Sequence, residues 1–297
     1  MKILVSNGLS IQRKPARPEV PVLRVVPRSQ REILDGINLA PANIAEALKA
    51  LETVAARLRE TNDPRAVFPD VYAVITRRVK EAVEGRGPTF LEPQWISRLA
   101  GFFCQYYLTA LKASLEGCRT AAEAWDIAFD TCDTAGVPAS LHAVLGINAH
   151  INFDLAQGLF ENILQHGTEK NQALLRRYRH DHDLVNEILE AAMPEIFSIL
   201  VDRYGCPLAS VATMRRGVQD AISKAVMFTL RQWRDRVWAD LEELLGAESN
   251  ELLRRGVLSR MNKKSALMAR AIVTGNGALS VGRPIVESAV RALPFAA

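Results

Sequence analysis

Cysteine is scarce in this chain, with four residues among 297, at positions 104, 118, 132 and 206. None forms a CxxC pair, and the spacings fit neither a zinc ribbon nor a dense disulfide framework. Cys104 and Cys132 sit in apolar runs and read as small core residues. An excess of one charge is also missing: 37 Lys and Arg face 33 Asp and Glu, leaving +4. The densest basic cluster, Arg176, Arg177 and Arg179, is followed at once by Asp181 and Asp183. Nucleic acid is therefore not an expected partner. Trp233 and Trp238 read as core anchors, and Arg231, Arg234 and Arg236 beside them as solvated. No apolar, charge-free run is long enough to predict a membrane span. The opening MKILVSNGLSIQRKP has no secretory apolar core or cleavage site, so a cytoplasmic location is expected. There is no GxGxxG opening a helix, no Walker loop and no GxSxG elbow.

Strand signals are also nearly absent, and helical periodicity fills their place. Ile44, Leu48, Leu51, Ala55 and Leu58 recur at steps of four and three, one stripe of an amphipathic helix behind Pro41. A second helix follows Pro69, a third runs from about Glu92 to Gly117, and a short fourth carries Trp125 and Phe129. The fifth spans about 139–165 and is apolar nearly all round, which places it centrally. A sixth covers about 169–204, with Pro194 expected to kink or break it. A seventh covers about 208–246. The last runs from Ser249 to about Val273, with a break expected near Asn262. Prolines 15, 18, 21 and 27 make residues 1–28 an extended arm. The expectation is one all-α domain over 29–275, a multi-helix bundle of about eight helices, followed by a tail over 276–297.

The residues suited to chemistry interrupt the fifth helix, in SLHAVLGINAHINFDLAQGLF, residues 140–160. At about 100° per residue, two polar faces emerge. Asn148 and Asn152 share one. His142, Gly146, His150 and Asp154 form the other as a slanting stripe. A central helix cannot place both in bulk water, and burying such groups unpaired costs a few kcal/mol each. They must pair with each other, with a ligand or with a metal. Gly146 leaves space either for a bound atom or for a close neighbouring helix. In the sixth helix Asp181 falls in the middle of the apolar arc, flanked by His182 and Asn186, while Asp183 and Glu187 face the wet side. A carboxylate aimed at the core demands a partner, and the histidines of the preceding helix are candidates.

These residues support three readings. His150, Asp154 and Asp181 could act as an acid/base set, with His150 as general base. The same three could bind a divalent metal, Zn, Fe or Mn, although HExxH and the paired ExxH pattern are missing. Or the polar residues could form a structural network that fixes helix register. In the first two, Asn148, Asn152, Asn186 and His142 would position the substrate by hydrogen bonds. The expected function is that of an enzyme hydrolysing or cyclising a small, largely apolar metabolite in a polar pocket between the fifth and sixth helices. The alternative is a non-catalytic protein binding a ligand or partner helix. Homo-oligomerisation is left open.

LGINAHINFDL at 145–155, with DHDLVNEIL about 25 residues later, resembles the bacterial family DUF5995. NDPRAVFPDVYAVITRRV, the stretches 103–107 and 125–129, and QWRDRVW are similar as well. The resemblance covers roughly residues 60–245 and maps its motif onto Asn148, His150, Asn152, Asp154, Asp181 and Asn186. It implies an all-helical bacterial protein of unknown activity, sometimes met near natural-product gene sets. It names no substrate.

Overall fold

A computed structural model describes residues 32–206 and 216–275, with side chains over 32–206 and 223–275. The expected N-terminal arm and C-terminal tail lie outside the described residues. Every long element is helical, and there is no strand among the described residues. In chain order the helices are α1 (Ile44–Glu60), α2 (Val67–Val83), α3 (Pro93–Leu115), α4 (Glu123–Cys132), α5 (Ala139–Ala149), α6 (Leu155–Gln165), α7 (Gln172–Ser198), α8 (Arg216–Gly246) and α9 (Glu251–Val273). A π-helical turn, His150–Asp154, joins α5 to α6 as one continuous rod.

Local chemistry sets the helix starts. Asn43 caps α1, its side chain accepting from the amides of Ala45 and Glu46, while Glu46 reaches back to the amide of Ala42. This reciprocal arrangement satisfies amides that the first turn leaves without partners. The helix therefore begins at Ile44, three residues beyond Pro41. Pro93 opens α3 at a position where a missing N–H costs nothing. Asn171 and Asn250 cap α7 and α9.

Two expected breaks do not occur. α7 runs through Pro194, which sits on the exposed face. Water can satisfy a carbonyl freed there, so the helix continues to Ser198 and only then widens into a second π-helical turn, Ile199–Arg203. α9 is unbroken at Asn262, whose side chain instead accepts from the amide of Glu123 and donates to the carbonyl of Ala121.

The α5–α6 rod is the axis of the bundle. α2, α3, α4, α8 and α9 all touch it, and the π turn itself contacts α3, α8 and α9. α7 lies against α2 and α8. Two glycines permit close approach. A Cβ at Gly101 of α3 would collide with the carbonyl of Pro41, and one at Gly146 would collide with the ring of Phe68. Gly146 thus makes room for a neighbouring side chain from α2, not for a bound atom.

Candidate functional site

The π turn carries the site. A π-helical turn inserts one extra residue, here with the amide of Leu155 bonding the carbonyl of His150. Such turns recur at functional sites. All five residues, His150 to Asp154, are buried. His150 Nδ1 lies 2.9 Å from Asp154 Oδ2. The same oxygen accepts a hydrogen bond of 2.8 Å from the indole N–H of Trp125 in α4. The imidazole is sandwiched by aromatic rings. Phe103 of α3 stacks on it at 3.4 Å between centroids, 9° from parallel, while Tyr72 and Phe68 of α2 present edges at 4.6 and 5.4 Å. One ring nitrogen is fixed by a carboxyl group. The other, Nε2, is buried and has no partner.

His150 stands in the wall of a cavity of about 200 Å³. Its lining comes from α2, α3, α5, the π turn, α7 and α8, with Ile44 of α1 and Leu155 of α6, and is almost wholly apolar: Val71, Ile75, Leu99, Ile147, Leu189 and Leu230 are representative. Where a polar pocket between the fifth and sixth predicted helices was expected, the chain forms a mostly apolar one among more helices. Four lining residues nonetheless carry buried polar atoms without partners: Tyr72 Oη, His150 Nε2, His182 Nδ1 and Arg234 Nε. Buried polar groups are normally satisfied; of nine that are not among the described residues, these four belong to residues lining one cavity.

The electrostatics follow from burial. Desolvation holds the His150 imidazole well below the usual histidine range and pushes the Asp154 carboxyl well above the usual carboxylate range, while the Trp125 N–H pulls Asp154 part of the way back. The uncharged pair holds two protons, one within the Nδ1–Oδ2 bond and one on Nε2. Loss of one leaves a proton on Nδ1, an anionic Asp154 facing Trp125, and a free lone pair on Nε2. Nε2 can therefore act as a proton donor in one state and as an acceptor in the other.

The other expected site residues are used elsewhere. Asp181 is fully buried, as its place in the apolar arc predicted, but its partners are not histidines. Its two oxygens accept from the amides of Leu91 and Glu92, at 2.8 and 2.6 Å, and so hold the entry to α3. It is not a lining residue of the cavity, and the expected convergence of residues 150, 154 and 181 on one spot does not form. Asn148 donates to the carbonyl of Ser265 in α9 and accepts from Asn152, whose amide also reaches Met268. That face fastens the rod to α9. His142 contacts Cys132 Sγ at 3.5 Å. Asn186 is half-buried with an unpartnered oxygen but is not a lining residue of the cavity. Among the described residues no three His, Cys, Asp or Glu side chains are grouped to hold a metal ion. The donor set expected for Zn, Fe or Mn is therefore not assembled, and only two of its members meet.

Two residues of the cavity wall escaped the sequence reading. His182 was seen only as flanking the apolar arc. Arg234 was expected to be solvated, yet it is 6% exposed. A signal existed: Leu230, Arg234, Val237 and Leu241 are spaced by four, three and four, which puts the arginine in the stripe of its helix. Arg231 and Arg236 are exposed, as expected.

The model of a family of unknown function, DUF5995, matches residues 44–275. The chain belongs to that family. No curated protein and no solved structure matches it. Among the described residues, no helix is long and apolar enough to cross a membrane.

Proposed function

We propose that this chain is an enzyme that takes a small, largely apolar metabolite into the cavity and moves a proton on it through His150 Nε2. One observation carries this reading: the ring is fixed at Nδ1 by Asp154, while the opposite nitrogen is unpartnered in the wall of an apolar cavity. Orientation of one imidazole nitrogen by a buried carboxyl group is how general acids and bases are held ready. His150 would be the catalytic residue. Asp154 and Trp125 would position it and set its proton inventory, with no metal required by the donor set. The apolar walls suit cyclisation better than hydrolysis, since they offer few groups to hold an attacking water. The natural-product setting implied by the resemblance fits this chemistry.

The test is an incubation with lipophilic extracts of the producing cell, followed by mass spectrometry. Depletion of a compound by the wild type, its absence in His150→Gln and its impairment in Asp154→Asn are expected. Equal depletion by His150→Gln would end the catalytic reading.

A second reading, a non-catalytic binding protein, is favoured by a different observation. Asn148, Asn152 and Asp181 are engaged in internal hydrogen bonds. Under that reading ligand binding remains and no compound is consumed.

A further inference from the structure

Arg234 is the unusual member of the cavity wall. A buried guanidinium is ordinarily paired with a carboxylate, because desolvating a lone cation costs several kcal/mol. Here one Nη donates to the backbone carbonyl of His182, Nε is buried without a partner, and among the described residues no carboxylate forms an ion pair with it. Asp183 and Asp235, the acids whose charge it feels, are both held by Arg179. Burial lowers the Arg234 pKa to about 10, so the side chain is still cationic at neutral pH. Beside it, His182 Nε2 lies 3.2 Å from the carbonyl of Arg234. That contact makes Nε2 the donor and leaves Nδ1, which also has no partner, as an acceptor. α7 and α8 thus place a cation and a neutral imidazole among the residues of a mostly apolar cavity wall.

We infer that the ligand is a small apolar monocarboxylate whose carboxylate pairs with Arg234 while its hydrocarbon body fills the cavity toward His150. This deepens the reading above and rests on its premise that the cavity is a ligand site. The charge argument selects the head group. One buried cation neutralises one negative charge, whereas a phosphate monoester would bring a second charge with no partner. A guanidinium with Nε and further Nη hydrogens free matches the two oxygens of a carboxylate. Size selects the body. A dry cavity of about 150 Å³ holds benzene, so one of about 200 Å³ holds a molecule of about eight heavy atoms. Hexanoate has the required size and charge.

The experiment is calorimetric titration of the full chain at pH 7.5 with hexanoate, 1-hexanol and hexyl phosphate. Hexanoate is expected to bind about tenfold tighter than hexanol, the equivalent of one good charge-assisted hydrogen bond. Arg234→Met should erase or invert that preference, and Arg234→Lys should keep part of it. Circular dichroism would verify that each variant folds, and the wild-type comparison requires no variant. Equal binding of hexanoate and hexanol, a preference unchanged in Arg234→Met, or tighter binding of hexyl phosphate would overturn the carboxylate assignment while leaving the cavity as a ligand site. Binding of none of the three would remove both.

Discussion

The central rod has two polar faces built from the same few residue types, and they do opposite things. On the face toward α9, Asn148 and Asn152 bond each other, the carbonyl of Ser265 and Met268. On the face toward α2 and α3, His150 is held on one side by Asp154 and has nothing on the other. The first arrangement holds two helices in register. The second leaves a buried polar atom without a partner, which costs stability. Burial is similar on both faces, so burial alone does not tell structure from site. The two faces differ in hydrogen bonding: Asn148 is bonded through both its nitrogen and its oxygen, whereas His150 Nε2 has no partner and belongs to a cavity-lining residue.

That contrast can be broken by substitutions whose effects should differ in size. The largest loss belongs to Asp181, which like Asn148 is held by internal hydrogen bonds. Asp181→Ala frees two amides at the start of α3 and removes two charge-assisted hydrogen bonds, so urea unfolding should report a loss of about 3 kcal/mol. A loss under about 0.5 kcal/mol would return Asp181 to the list of site candidates. Next comes Gly146→Ala, which should cost about 2 kcal/mol by driving a methyl group into Phe68, and the cost should shrink in the double variant with Phe68→Leu. Asn148→Ala removes the hydrogen bonds to the Ser265 carbonyl and from the Asn152 amide and should also cost about 2 kcal/mol.

A pH series sharpens the comparison. His182 is buried and its folded pKa lies well below the ordinary 6.5, lowered first by burial and then by Arg234. A depressed folded value means that its contribution is fully present above about pH 6.5. As pH falls below that, the unfolded chain takes up a proton that the folded chain refuses, so stability drops by up to about 1.4 kcal/mol per pH unit. His182→Gln should remove that slope when unfolding is followed from pH 7.5 to 5.5. His150 is less suitable for this test, because burial raises Asp154 while lowering His150 and the two contributions oppose each other. The smallest stability effect is expected for His150→Gln, within about 1 kcal/mol of wild type, since it removes an incompletely bonded group. The same substitution should abolish turnover. A loss of several kcal/mol would place His150 among the structural residues instead.

The fold was largely legible in the sequence, because amphipathic stripes and caps are local. The α5–α6 rod was marked by its apolar character, and Asp181 by its place in an apolar arc. What periodicity could not supply was the identity of partners. It placed Asp181 inward but could not tell that the amides of Leu91 and Glu92, some ninety residues away, were waiting there. It treated α5 to α6 as a regular helix, although the π turn shifts everything after His150 by one residue. Asn148 and Asn152 resembled site residues for the same reason that they stabilise α9: both uses require buried amides. Arg234 was misjudged because charge was allowed to outweigh its position in the stripe.

Intermolecular nuclear Overhauser effects between bound hexanoate and methyl-labelled protein would test the central claim most directly. The account predicts contacts from the ligand to the methyl groups of Ile75, Ile147 and Leu189, together with shifts of the His150 ring, and none to Ile163, which is not a lining residue of the cavity. Contacts confined to exposed side chains such as Leu252 and Leu267, with the His150 resonances unmoved, would contradict it.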